Sequence, residues 1–235
     1  MEILKKTIFY NKKINIIGHR GVPELCKENT LESFQKAIDL NYDGIELDVM
    51  ATKDQKVIIH HDLERAGTPI LNINYFPVLK NYPLLKDVLL KIGHRTKINI
   101  EIKDQGKQSL FVLKATIKIL KELNLIENIL ISSFNPQIIR ECKKIDDRFF
   151  TGWIWGRKNL YFFNLWNIAI KFYKPDAIHV HHSLVNNKMI NKIHKKNLKI
   201  LAYTVNNKKR LRELINQNID GVFTDSPIIL NLVRK

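Results

Sequence analysis

Cysteine is scarce: Cys26 and Cys142 are the only two in 235 residues. Two cannot build a disulfide framework, and they lack the paired spacing of a zinc site, so both are expected as free, reduced thiols. Long apolar runs are missing as well. The N-terminal stretch MEILKKTIFYNKKINIIGHRG has no uninterrupted apolar segment and no small-residue cleavage site, which argues against a secretory signal and makes a cytoplasmic address the expectation. The most apolar stretch, LYFFNLWNIAIKFY at 160–173, is too short to span a bilayer and is interrupted by Asn164 and Asn167. Phe162, Trp166, Ala169 and Phe172/Tyr173 recur near helical spacing, so a core-facing helix is expected there, with weak contact to lipid as the alternative. No Gly/Ser/Pro-rich linker, composition break, fixed-period repeat or low-complexity tract divides the chain, so residues 1–235 read as one domain.

Negative charge is in the minority. Lysine and arginine number 39 against 23 acids, a net charge of +16. Such a balance attracts nucleic acid, anionic membranes or phosphorylated substrates. The lysines are scattered among asparagines and isoleucines, with no block of about five like charges and no aromatics set in a basic groove, so no specific nucleic-acid surface is expected. An apolar share of 45% is enough for a sizeable core.

What is present alternates. The β-branched runs are INIIG (14–18), GIELDVM (44–50), KVIIH (56–60), KINIEIK (97–103), NILISSF (128–134), FFTGWIW (149–155), AIHVHH (177–182), KILAYTV (199–205) and GVFTD (221–225). Between most of them lie the amphipathic stretches TLESFQKAIDL, LLKDVLLKI, QSLFVLKATIKILKEL, PQIIRECKKI, NKMINKIHKK and KKRLRELINQ. Strand and helix alternating in this way predict a parallel sheet, closed here as an α/β (β/α)8 TIM barrel with KVIIH as a side hairpin after the second strand. Residues 63–84 are its least regular part, a short excursion.

Side chains alternate along a strand, so in GIELDVM Ile45, Leu47 and Val49 share one face while Glu46 and Asp48 share the other. In KINIEIK the same rule sets Asn99, Glu101 and Lys103 opposite three isoleucines. Carboxylates aimed into a barrel cost several kcal/mol each when unpaired. Two arrangements answer Glu46, Asp48 and Glu101: a hard divalent cation such as Mg²⁺ or Ca²⁺, or an internal salt-bridge network with Arg20 and Lys103. His19 and Arg20 end the first strand at the C-terminal rim, where barrel active sites are built, and His61 followed by Asp62 ends KVIIHHD. Two imidazoles, a metal-type cluster and cationic donors fit phosphoryl chemistry.

The ordered series His19-Arg20-Gly21, Glu28-Asn29-Thr30, Glu46-x-Asp48, His61-Asp62, Glu101-x-Lys103, YTVN (203–206) and DGVFTD (220–225) resembles the glycerophosphodiester phosphodiesterase family, cytoplasmic bacterial type. The match runs from residue 16 to about residue 228 and so covers nearly the whole chain. The resemblance implies a barrel of the phospholipase C-like phosphodiesterase type that hydrolyses a small glycerophosphodiester to glycerol 3-phosphate and an alcohol. It further implies that Glu46, Asp48 and Glu101 hold one divalent cation, that His19 and His61 are the acid/base pair, and that Arg20 and Lys103 contact phosphate. Glu28 adds to the metal site, orients Arg20 or merely favours a helix start. Thr30 is expected to cap the helix near Leu31, and Asn29 either caps or joins the site.

Four features depart from the family or lie beyond its motifs. The excursion after His61-Asp62 is abbreviated, which predicts a more open mouth. Tyr203 stands where the family often has tryptophan, so an aromatic wall survives with a different shape. His179 and His181 share a strand face and reach the site from the far side or are structural, and Trp153 and Trp155 line an alcohol pocket or pack. Two competing functions follow: a lysophospholipase D-type phosphodiesterase using the same centre, and a non-catalytic basic polyanion-binding module.

Overall fold

A computed structural model describes residues 14–156 and 166–233. The strands are Asn15–Gly18 (β1), Gly44–Ala51 (β2), Val57–Ile59 (β3), Glu64–Arg65 (β4), Thr68–Pro69 (β5), Ile98–Ile102 (β6), Ile129–Ser133 (β7), Phe150–Trp155 (β8), Ala177–His181 (β9), Lys199–Tyr203 (β10) and Gly221–Thr224 (β11). The ring β1-β2-β6-β7-β8-β9-β10-β11 is parallel throughout and closes on itself, because β1 pairs with both β2 and β11. The (β/α)8 expectation is met. Strand β3 lies antiparallel on β2 as the side hairpin.

Helices Leu31–Asp39 (α1), Leu85–Ile92 (α2), Gln108–Glu122 (α3), Pro136–Ile145 (α4), Trp166–Tyr173 (α5), Asn187–His194 (α6), Lys208–Asn216 (α7) and Leu230–Val233 (α8) cover the barrel. Their starts are written in the sequence. Thr30 accepts from Ser33 N as the N-cap of α1, and Asn135, Asn186 and Asn207 do the same for α4, α6 and α7, with Pro136 opening α4. In α1 the buried Ser33, Phe34 and Ala37 fall on one face. Burying Phe34 completely stabilises the fold by about 2–3 kcal/mol.

Alternation along the strands divides the core in two. Ile45, Leu47 and Val49 face outward into the layer under the helices. The barrel interior holds a smaller plug of Ile17, Leu130, Phe150, Ala177, Leu201 and Phe223. Trp153 and Trp155 face outward and pack edge-on with one another, with Trp155 also edge-on to Trp166, so packing is their role and they do not line the site. In α5, Trp166 is buried and Ala169 and Tyr173 rest on the core, as expected, whereas Phe172 stays exposed; Phe162 lies outside the described residues. The excursion folds over its own cluster of Met50, Ile58, Ile70 and Leu79, with the β4–β5 hairpin at its start. Among the described residues no helix is long and apolar enough to cross a membrane.

Candidate active site

Parallel register brings the predicted acids together. Glu46 lies beside Asn99 and Asp48 beside Glu101 across β2 and β6, all on the inward face. One carboxylate oxygen from each of Glu46, Asp48 and Glu101 lies within 4.8 Å of the others. The salt bridges foreseen as the alternative occur as well. Lys103 Nζ is 3.0 Å from Glu101 Oε1 and 3.3 Å from Asp48 Oδ1, and Arg20 Nε is 3.3 Å from Asp48 Oδ2. Among the described residues these two cations face three carboxylates, and Arg20 is shared with a fourth, Glu28.

The deficit falls on Glu46. Its Oε2 accepts the Arg20 backbone N–H at 2.8 Å, while its Oε1 is buried with no hydrogen-bond partner among the described residues. Burial first, and then the Asp48 charge, push the Glu46 carboxyl up to about 8, and the same two causes raise Glu101 despite Lys103. A hard cation with oxygen ligands at roughly 2.0–2.6 Å separates its ligands by at most about 4–5 Å. An orphaned buried oxygen, an oxygen-only donor set and that spacing all fit a divalent cation.

Both histidines are held by neighbouring carboxylates. His19 Nδ1 is 2.7 Å from Asp225 Oδ1, and His61 Nδ1 is 2.8 Å from Asp62 Oδ1, so each ring is fixed through Nδ1 and lines the cavity. Burial pulls the His19 imidazole down, but the Asp225 hydrogen bond and the Glu46 charge outweigh it, and His19 titrates above its ordinary value. Stacking of His60 on Tyr82, at 4.3 Å between centroids, steadies the strand end that carries His61.

The turn after β1 explains the opening motif. Gly21 has φ +91°, and a Cβ there would come within 2.2 Å of Ser33 Oγ, so only glycine lets the chain double back onto α1. Glu28 grips Arg20 Nη1 with both oxygens, at 2.9 and 3.1 Å, which makes it the residue that orients the guanidinium. Asn29 does not cap: its Nδ2 donates to Asp48 Oδ2 at 2.9 Å and its Oδ1 accepts from Asp48 N.

A cavity of about 230 Å³ opens above this cluster. Its mouth is framed by Phe134, His181, Tyr203 and Thr204, and its floor by Asn99, Ile154, His179 and Phe223. Tyr203 keeps the aromatic wall, with its hydroxyl donating to Trp155 O at 2.9 Å and its ring edge-on to Phe134 and His181.

The sequence profile of the glycerophosphoryl diester phosphodiesterase family matches residues 19–229, from His19 through the last barrel strand. The chain belongs to that family. The likeness of this family member extends over whole chains. It is 29% identical to a glycerophosphodiester phosphodiesterase of Caldanaerobacter subterraneus subsp. tengcongensis, over 95% of this chain and 99% of that one. The crystal structure of a glycerophosphodiester phosphodiesterase from Thermotoga maritima superposes with a TM-score of 0.80 at 26% identity, covering 94% of this chain and 98% of that one. A phosphodiesterase of Oleispira antarctica, solved with the product sn-glycerol-3-phosphate, superposes at 0.85 and 23% identity, covering 97% and 99%, and shares the fold.

Within this phosphodiesterase the structure gathers His19, Arg20, Glu46, His61, Glu101, Lys103, His179, His181 and Tyr203 around one cavity, with Asp48, Glu28 and Asn29 behind them. Sequence reasoning gave no role to Asp225, Asn206, Phe134 or Thr204. Asn206 donates to Asp225 Oδ2 at 2.7 Å and accepts the Asp225 N–H, so it fixes the carboxylate that fixes His19. An aspartate directly after the last barrel strand was the available signal.

Proposed function

We propose that residues 1–235 act as one barrel domain that hydrolyses glycerophosphodiesters to glycerol 3-phosphate and an alcohol, with Glu46, Asp48 and Glu101 holding a single Mg²⁺ or Ca²⁺. The observation that carries this reading is the convergence of three carboxylates, with Glu46 Oε1 buried and lacking a hydrogen-bond partner among the described residues, beside two carboxylate-held imidazoles facing the same cavity. When bound, the cation supplies positive charge to the phosphodiester and to the charge that builds on it during attack. Arg20, held by Glu28 and Asp48, keeps Nη2 for a phosphate oxygen, and Lys103 adds a point charge on the other side. His19 and His61 divide the proton work: one imidazole takes the proton from the attacking hydroxyl, of water or of the substrate's own glycerol, and the other protonates the departing alkoxide. Asp225 and Asp62 hold these rings through Nδ1, and Asp225 also stabilises the His19 imidazolium.

The competing readings gain nothing. A cavity of about 230 Å³, below the roughly 300–1,000 Å³ of drug-sized sites, suits a small diester. A polyanion-binding module leaves the acidic trio without a purpose. The test is a panel of glycerophosphodiesters and lysophospholipids assayed after EDTA and again after Mg²⁺ or Ca²⁺ is restored. Glycerol 3-phosphate release that depends on the added ion, and that His19→Ala and His61→Ala abolish, is expected. Absence of release from every glycerophosphodiester with either ion overturns the reading.

A further inference from the structure

The apolar stretch that ends in α5 has no part in the chemistry above, and α5 leaves two large side chains uncovered. Ile168 and Phe172 are 67% and 47% exposed and stand four positions apart, so they share one face of the helix. Phe172 is held in place: its ring is edge-on to Tyr173 at 5.0 Å, and Tyr173 is in turn edge-on to the Trp153 ring at 5.5 Å. Cations surround it. The Arg140 guanidinium of α4 lies over the Phe172 ring, 4.0 Å from its centroid, which leaves the N–H edge of that fork for an anion. A groove of about 610 Å³ beside these two helices is lined by Arg140, Lys143, Lys144, Lys171 and Lys174, against the acids Asp147 and Asp176. Lys143 pairs with Asp176, and Lys144 with Glu141. Arg140, Lys171 and Lys174 have no ion pair among the described residues, and both lysines are exposed.

Unpaired cations beside exposed apolar side chains match the interface of an anionic bilayer, where headgroup phosphates take the cations and the apolar side chains enter the acyl boundary. A nucleic acid answers the charge alone and leaves an exposed isoleucine and phenylalanine without a partner. We propose that the α4–α5 flank is a docking surface for anionic phospholipid membranes, with Ile168 and Phe172 at the acyl boundary and Arg140, Lys171 and Lys174 on headgroup phosphates. Helix α5 runs from the rim after β8 back to the start of β9, so Lys171 and Lys174 lie toward the end of the barrel opposite the catalytic cavity. A protein resting on this flank keeps its mouth open to water and draws no lipid into it. The inference goes beyond the activity proposed above and does not depend on it. The two fit together, because a glycerophosphodiester is a phospholipid stripped of its acyl chains: the deacylation that supplies it takes place at a bilayer, where docking holds the protein.

Cosedimentation of the full chain with vesicles of phosphatidylcholine alone, or of phosphatidylcholine with about one-third phosphatidylglycerol, tests it at roughly physiological salt. Wild-type protein is expected to partition onto the anionic vesicles and not onto the neutral ones. Each cation at such a surface is worth about fivefold in partitioning, so Arg140→Gln/Lys171→Gln/Lys174→Gln should lower it about 100-fold. Ile168→Ser/Phe172→Ser, which removes the apolar contact, should lower it about tenfold. Lys53→Gln/Lys56→Gln/Lys91→Gln makes an equal charge change at exposed positions on other elements and should lower it less than about fivefold. Thermal melts check that each variant is folded. Should the first triple variant not fold, Lys171→Gln/Lys174→Gln, at two exposed positions, should still lower partitioning about 25-fold. Equal wild-type partitioning onto the two kinds of vesicle, or equal losses in the two triple variants, overturns the proposal. So does a serine variant that partitions like wild type; oligonucleotide binding lost in step with vesicle binding then marks the flank as a general polyanion surface. None of these readouts requires catalysis, so a protein that docks but cleaves no diester refutes the proposed activity and not the docking.

Discussion

Asp225→Asn isolates the orientation of His19 from the rest of the site. The carboxylate touches His19 Nδ1 at 2.7 Å, and an amide in its place can present an N–H to that nitrogen and force the opposite tautomer. General acid–base catalysis contributes about 10²–10⁴-fold, and each decade corresponds to about 1.4 kcal/mol of barrier, so mis-set tautomers should cost roughly 3–5 kcal/mol in kcat/KM. Stability should change far less. His19 and Asp225 are 19% and 26% exposed, so the pair contributes at the low end of the range for charged hydrogen bonds, about 1–1.5 kcal/mol, or a few degrees in Tm.

The pH dependence follows from the two shifts. His19 titrates above its ordinary 6.5, so its share of the stability is complete below that pH and disappears as pH rises through the raised value. Burial raises the Asp225 carboxyl, but the His19 and Asn206 hydrogen bonds bring it below its ordinary 3.8; its share is complete above that pH and is lost on acidification through the lowered value. The difference in Tm between wild type and variant should therefore be largest between about pH 4 and 6.5 and shrink on either side. The assays are steady-state release of glycerol 3-phosphate and thermal melts across that range. A variant with kcat/KM within about threefold of wild type and an unchanged pH profile refutes the positioning role.

Glu46→Gln should abolish metal-dependent activity yet leave the EDTA-treated protein with a Tm at or above wild type near pH 7. The wild-type carboxyl, raised to about 8, is destabilised when charged, and the variant's advantage should fade as pH falls toward 4.5, where that carboxyl is protonated in both states; a lower variant Tm at pH 7 counts against the site electrostatics. Gly21→Ala forces a Cβ to within 2.2 Å of Ser33 Oγ at φ +91°, so a loss of about 2 kcal/mol or more is expected in denaturant titrations. Cys142 is fully buried with its thiol pushed up to about 12, while Cys26 is half-buried. A thiol-specific chromogenic disulfide should accordingly titrate one cysteine in native protein and two in denaturant; rapid reaction of two in native protein contradicts the packing around α4.

Much of the barrel was legible because its signals are local. Each β-branched run became a strand, and the Thr30 cap and the period-3.6 faces of α1, α4 and α6 became helices with the expected sides buried. The inward pairing of Glu46 with Asp48 needed only the twofold period of a strand. Asn29 was less readable, since an asparagine before a helix looks like a cap in any sequence, and only the fold puts Asp48 within 2.9 Å of it. Asp225 and Asn206 stood in the motif set, but their roles were unreadable for the same reason: the partner of Asp225 lies 206 residues away.

By itself, then, the chain determined its elements, the face each carboxylate occupies and the motif set of its family, because these depend on neighbours a few positions apart. Closure of the ring decided what lies across it: that β1 sits between β2 and β11, that one oxygen of Glu46 has no donor among the described residues, and that an imidazole fits where Gly152 has no side chain. Such contacts join residues far apart in sequence, and no periodicity records a distance set by the barrel's circumference.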